Sequence, residues 1–211
     1  MLQETYIKLL ENYTDDRELI GKLWSEIEAN YSGEKRHYHT LLHLENLLKQ
    51  LIPVKEQVEN WETVLFTLYY HDIIYDALRS DNEEQSAELA EKRMKQIHVP
   101  AQVIENCKKQ ILATKTHLEN ANPDTNYFTD SDLSVLGQET KNYREYSKNV
   151  RLEYAYYPDA VYNEGRIKVL NHFLNLERIF KTDYFHKKYE KQATQNILEE
   201  LKSLEERETK K

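Results

Sequence analysis

Glycine and proline are scarce, with four of each in 211 residues. Sheet folds need such residues at most of their tight reversals, so this composition weighs against a β-sandwich or barrel. The single cysteine, Cys107, cannot form an internal disulfide, and a reducing, cytoplasmic setting is expected. No apolar run is long enough to cross a bilayer, and no membrane partner is expected. The N-terminus, Met1 to Tyr6, has no basic segment followed by an apolar one, so no secretory signal peptide is expected. A positive excess is missing too. Twenty-nine Lys and Arg against 37 Asp and Glu leave a formal charge of −8, which argues against non-specific nucleic-acid binding. A small phosphate ester held by a metal and a few local cations stays compatible with that charge.

Hydrophobic residues make up 39% of the chain and charged residues 31%, enough for a buried core. Apolar residues recur at helical spacing from end to end, with no repeat of fixed period and no break that marks a linker. The expectation is one all-α domain over 1–211: a helical bundle with its core over about 16–180 and a charged helix over about 183–207. Asp15 or Asp16 is placed to cap a helix running to about Tyr31. Leu41 to Leu51 form another helix, stopped near Pro53. A third runs from about Val58 to His71. Ser80-Asp81-Asn82-Glu83 has the form of a capping box, and Pro100 opens the helix that ends near His117. Residues 118–126 read as a loop, and Tyr127 to Leu136 as a short apolar segment closed by Gly137. Helices from about Glu139 to Tyr156 and from Pro158 precede the C-terminal one.

The candidate chemistry centres on His71-Asp72, at the end of the aromatic-rich stretch Leu65 to Tyr70. A carboxylate beside a buried helix must be paired, hydrogen-bonded or bound to a metal. Adjacent helical residues lie about 100° apart, so both can reach one ion beside the helix. His39 and His43 are four apart and share a face. His117 and the pair Asp130 and Asp132 also fall near expected helix termini, where a bundle can converge side chains on one cavity. Each has a plainer alternative. His117, beside Lys115, can cap a helix C-terminus, and one of Asp130 and Asp132 is expected to cap a helix. The many tyrosines suit core edges better than a stacking surface.

The order His43 … His71-Asp72 … Asp132 resembles the HD superfamily of metal-dependent phosphohydrolases, named for its His-Asp pair. Six segments in order extend the resemblance to a bacterial subfamily of predicted HD phosphohydrolases, over roughly residues 20–200. They are Arg36 to Leu44, His71 to Asp76, Asp81 to Ala87, Ala113 to His117, Asp130 to Gly137 and Arg151 to Tyr154.

That resemblance implies an all-α HD fold with a divalent ion at converging helix termini. The first histidine ligand falls on His39 or His43, and His43 is preferred. The stretch Tyr38 to His43 is similar to one in cyclic-nucleotide phosphodiesterases, where the first histidine donates a proton and the second binds metal. On that analogy His39 is a general acid. The last aspartate ligand precedes a leucine in the superfamily, which favours Asp132 over Asp130. No second His-His pair of the kind that builds a two-metal site is present. The implied ligand set is His43, His71, Asp72 and Asp132. Two imidazoles and two carboxylates suit Mn, Fe, Co, Ni or Zn, which can supply a metal-activated water.

Arg36, Lys115, His117 and Arg151 are then the candidates to bind the phosphorylated substrate, the arginines by a bidentate fork. Asp76 and Glu83 (or Glu84) are the candidates to orient the attacking water. Two other readings keep the fold: a di-iron HD-type oxygenase, and a non-catalytic helical module that binds a metal or a nucleotide.

Overall fold

The computed structural model describes residues 1–208. The helical stretches read from periodicity are realised as ten α-helices among the described residues, with no strand there.

 The chain divides into two compact units, one over Met1–Thr129 and one from Asp130 onward. No helix among the described residues is long and apolar enough to cross a membrane.

The first unit holds α1 (Leu2–Glu11), α2 (Arg17–Tyr31), α3 (Leu41–Leu51), α4 (Trp61–Tyr70), α5 (Asn82–Gln96) and α6 (Ala101–Ala113). Helix α4 is its axis. It packs against α1, α3, α5 and α6, and every side chain from Thr63 to Tyr70 is buried. A helix enclosed on all sides needs a largely apolar surface all round, which is why only Thr63 and Thr67 interrupt the apolar and aromatic residues of this stretch. The tyrosines in it keep their hydroxyls satisfied. Tyr70 and Tyr6 share a hydrogen bond of 2.8 Å, and the Tyr69 hydroxyl donates to the Leu2 carbonyl at 2.8 Å.

Caps set most of the boundaries. The Asp16 carboxylate accepts from Leu19 N–H at 2.9 Å and opens α2. Asn60 does the same for α4 through Thr63 N–H at 2.9 Å, so that helix begins at Trp61 and not near Val58. At the start of α5 the expected capping box is not formed. The Asp81 carboxylate is held by the Arg79 guanidinium at 2.6 and 2.9 Å, and makes no cap hydrogen bond.

The stretch expected as a loop over 118–126 ends early, because α7 (Pro123–Leu133) starts inside it. Asn122 Oδ1 accepts from Asp124 N–H at 2.9 Å, and Pro123 sits at the first helical position, where its missing N–H costs nothing. Asp124 is itself buried, and its two oxygens accept from Glu59 and Asn60 N–H at 2.8 Å each. That carboxylate fixes the chain entering α4. Helix α7 begins in the first unit and ends in the second.

The second unit contains the end of α7, a 3-10 turn over Ser134–Gly137, α8 (Thr140–Glu153), α9 (Asp159–Leu174) and α10 (Asp183–Glu208). The last three residues of the expected charged tail, 209–211, lie outside the described residues. Helix α8 stops at Glu153, short of the expected Tyr156, where the Arg151 guanidinium donates to the carbonyls of Tyr154 and Tyr157 at 2.8 and 3.1 Å. Helix α10 lies against the 3-10 turn and α9. Asn196 donates to the Leu136 and Gln138 carbonyls, both at 2.8 Å, and ties α10 to that turn.

Candidate metal centre

His71 follows the last turn of α4, where carbonyls lack intrahelical partners. Its Nδ1 lies 3.1 Å from the Leu68 carbonyl oxygen, a contact in which only the ring can donate. In the neutral ring this makes Nε2 an acceptor. That atom is 3.1 Å from Nε2 of His43, in the first turn of α3, and 3.1 Å from Oδ2 of Asp72. His43 Nε2 is 3.8 Å from the same oxygen. His43 and His71 are both buried, and Asp72 is half-buried.

These contacts test whether a metal fits. An acceptor nitrogen and a carboxylate oxygen 3.1 Å apart repel each other unless a proton or a metal ion lies between them. An imidazole that donates its far N–H to a carbonyl is the tautomer metal-ligating histidines use. His43, His71 and Asp72 each bring one atom of a metal-ligand type within 3.8 Å of the other two.

The surrounding residues hold this geometry through long-range contacts. Arg36 donates from Nη1 to the carbonyls of His39 at 3.0 Å and Asp72 at 2.8 Å, and from Nη2 to the Ile73 carbonyl at 2.9 Å. Its guanidinium also lies over the Tyr31 ring, 4.8 Å from the centroid. The Tyr31 hydroxyl donates to the Tyr69 carbonyl at 3.2 Å and accepts from Asp72 N–H at 3.3 Å. Ser86, buried on α5, accepts from Ile74 N–H at 3.1 Å. The turn after α4 is thus clamped from α2, α5 and the segment before α3. Phe128 packs edge-on against His71, with centroids 5.4 Å apart.

His39 is half-buried, with Nε2 3.8 Å from Asp72 Oδ2. Its ring lies on Tyr75, with centroids 4.1 Å apart and planes 30° apart. The structure therefore brings His39, His43, His71 and Asp72 together, with Arg36 behind them.

A second cluster forms where α5 begins. Lys115 Nζ donates to Glu84 Oε1 at 2.6 Å and to the Ser80 carbonyl at 2.8 Å, and is 3.7 Å from Glu83. The hydrogen bond to Lys115 lowers the Glu84 carboxyl below its usual range, and the bond to Glu84 raises the Lys115 ammonium. Asp76 is exposed. It accepts from Leu78 N–H at 2.9 Å, and its N–H donates to Asn82 Oδ1 at 3.1 Å. His117 ends the turn after α6 at φ 53, with its N–H on the Ala113 carbonyl at 3.0 Å. That left-handed conformation is uncommon for a residue other than glycine.

The remaining sites belong to the second unit. Arg151 is bound to Asp159 Oδ1 at 2.7 Å as well as to the two carbonyls that end α8. Asp130 is fully buried and accepts from Lys181 N–H at 2.9 Å and from Thr182 N–H and Oγ1, each at 2.7 Å. Lys181 Nζ lies 3.1 Å from it. Asp130 thus fixes the backbone that enters α10, and since both aspartates lie inside α7, neither is the helix N-cap expected of one of them. Asp132 is half-buried on α7, four residues after Phe128 and so on the same helical face.

Reading the sequence missed Tyr31, Ser86, Phe128 and Asp124. Tyr31 and Phe128 look like ordinary core residues in a helical stripe. Ser86 and Asp124 carry no local signal, since their partners are remote in the chain. No family model, curated protein or solved structure matches this chain.

Proposed function

We propose that the protein is a metal-dependent phosphohydrolase that cleaves a small phosphate ester, with His43, His71 and Asp72 as ligands. The observation that carries this reading is the convergence of three atoms of metal-ligand type, with His71 Nε2 3.1 Å from both His43 Nε2 and Asp72 Oδ2. Asp132 is the proposed further carboxylate. The order of these four residues in the sequence, which resembles the HD superfamily, supports the same set.

Two imidazoles with carboxylates suit Mn, Fe, Co, Ni or Zn. Such an ion, when bound, lowers the pKa of a water and offsets charge on phosphoryl oxygens. The chain's own residues are assigned as follows. His39, held on Tyr75, donates the proton that the leaving oxygen needs. Arg36 is a positioning residue, because its donors are spent on the carbonyls that set His39 and Asp72. Lys115 receives the phosphate of the substrate by exchanging its exposed partner Glu84 for it, an exchange that costs little at a solvated ion pair.

Elemental analysis of chelator-free protein, beside an Asp72→Ala variant, tests the reading together with a panel of phosphate monoesters. Near-stoichiometric transition metal lost in the variant, with metal-dependent release of phosphate, is the expected result. Protein that takes up no metal after Mn or Co is added back would overturn it.

A further inference from the structure

A cavity of about 740 Å³ lies within the second unit, walled by α8, α9 and α10. That is a size typical of sites for nucleotide-sized molecules and far more than a single water fills. Each helix turns one face to it: Arg144, Ser147 and Lys148 from α8, Tyr162 and Asn163 from α9, and Glu200 from α10.

The floor is electrostatically closed. Glu200 takes a fork from the buried Arg166 at 2.9 and 3.1 Å, a hydrogen bond from Ser147 at 2.8 Å, and another from Tyr143. The wall is not. The Tyr162 hydroxyl is buried with no hydrogen-bond partner, although the residue is only 9% exposed. Burial pushes its pKa up to about 12, against the Arg166 guanidinium that pulls it down, so the hydroxyl stays protonated. Asn163 beside it is 7% exposed, and no hydrogen bond of its side chain is found among the described residues. Buried polar groups are nearly always paired, so an unpaired hydroxyl in a cavity wall calls for a ligand that pairs it. The rim carries the charge. Arg151 is bound to Asp159, and Arg144 lies 3.7 Å from Glu199, while Lys148 has no ion pair among the described residues.

We propose that this cavity binds a phosphorylated sugar or nucleoside, with its hydroxyl-bearing body against Tyr162 and Asn163 and its phosphate at Lys148 and Arg144. The site is separate from the His43–His71–Asp72 centre and does not rest on the proposed hydrolase activity.

Titration calorimetry of the full chain with AMP, ribose 5-phosphate and orthophosphate tests it. The expected result is binding of AMP or ribose 5-phosphate, with orthophosphate far weaker. If both organic phosphates bind alike, the ligand class is sugar phosphates; if AMP alone binds, it is nucleotides. Tyr162→Phe and Lys148→Gln should each weaken binding about tenfold. Asp72→Ala, which removes the proposed metal ligand, should leave it within about twofold. Tyr162→Phe should melt no lower than the wild type, since it deletes an unpaired hydroxyl. Lys148→Gln, at an exposed position, gives the same test without touching the core. The proposal is overturned if neither organic phosphate binds, if orthophosphate binds as well as they do, or if Asp72→Ala abolishes binding while Tyr162→Phe and Lys148→Gln do not.

Discussion

The Nε2 atoms of His43 and His71 face each other at 3.1 Å, from residues 28 apart in the chain. His71 turns its other nitrogen to the Leu68 carbonyl, so helix α4 supplies both the ring and its tautomer. Asp72 brings a carboxylate to the same point with no further fold. Three donors of the borderline and hard kinds thus meet at the end of the most enclosed helix of the first unit.

Replacing Asp72 by Asn keeps the shape and removes the charge. Asp72→Asn should retain the fold and lose most of its bound metal, with affinity down about 10- to 100-fold or more. Metal content after dialysis and a competition titration with a chelator measure this. Unchanged affinity would remove Asp72 from the ligand set.

Arg36→Lys should loosen the clamp on the turn after α4. A lysine cannot reach three carbonyls with a planar fork. The expected cost is about 1–3 kcal/mol of stability, read from urea unfolding, with metal affinity lowered and Arg36→Ala worse on both counts.

Gly137 has no room for a side chain. A Cβ there would lie 2.4 Å from Tyr189 Cβ and 2.8 Å from the Tyr189 carbonyl oxygen, which is α10 backbone. Gly137→Ala should cost about 1–3 kcal/mol by overpacking. A thermal melt measures it, and Gly165→Ala, with open space at its Cβ, is the control.

Asp124→Ala should leave the N–H groups of Glu59 and Asn60 without their acceptor. Unpairing buried donors costs about 1–3 kcal/mol each. Faster hydrogen exchange at Glu59, Asn60 and the first turn of α4 would report the loss.

Glu200 gives the second unit an acid-sensitive joint. Burial raises its carboxyl, but the Arg166 guanidinium outweighs that and holds it below the usual range. A depressed carboxyl contributes stability above its unfolded pKa, near 4, and loses it as pH falls through the lower folded value. Glu200→Gln should flatten that acid limb and destabilise the chain at neutral pH, by about 3–5 kcal/mol, because Arg166 is left buried without its countercharge. Chemical denaturation at a series of pH values separates the two effects.

Most helices were legible because their causes are local. Periodic leucines, Asp16, Pro100 and Pro158 mark them without reference to the rest of the chain. The exceptions fail for physical reasons that are just as local in effect. Residues 123–126 are polar enough to read as loop, yet Asn122 and Pro123 start a helix there, and Asp124 is polar because it serves the start of α4. The box at Ser80 to Glu83 has the right letters, but Arg79 takes the Asp81 carboxylate first.

The sequence by itself determined that the chain is helical, that α4 must be enclosed, and that His71 and Asp72 stand together at its end. Helix periodicity and adjacency need only neighbouring residues. Tertiary structure alone decided that His43 meets His71, that Arg36 is spent on three carbonyls, that Asp130 holds the backbone entering α10, and that Lys115 rests on Glu84. Each of those depends on which distant donor and acceptor packing brings within about 3 Å, the range in which a hydrogen bond or a ligand contact exists.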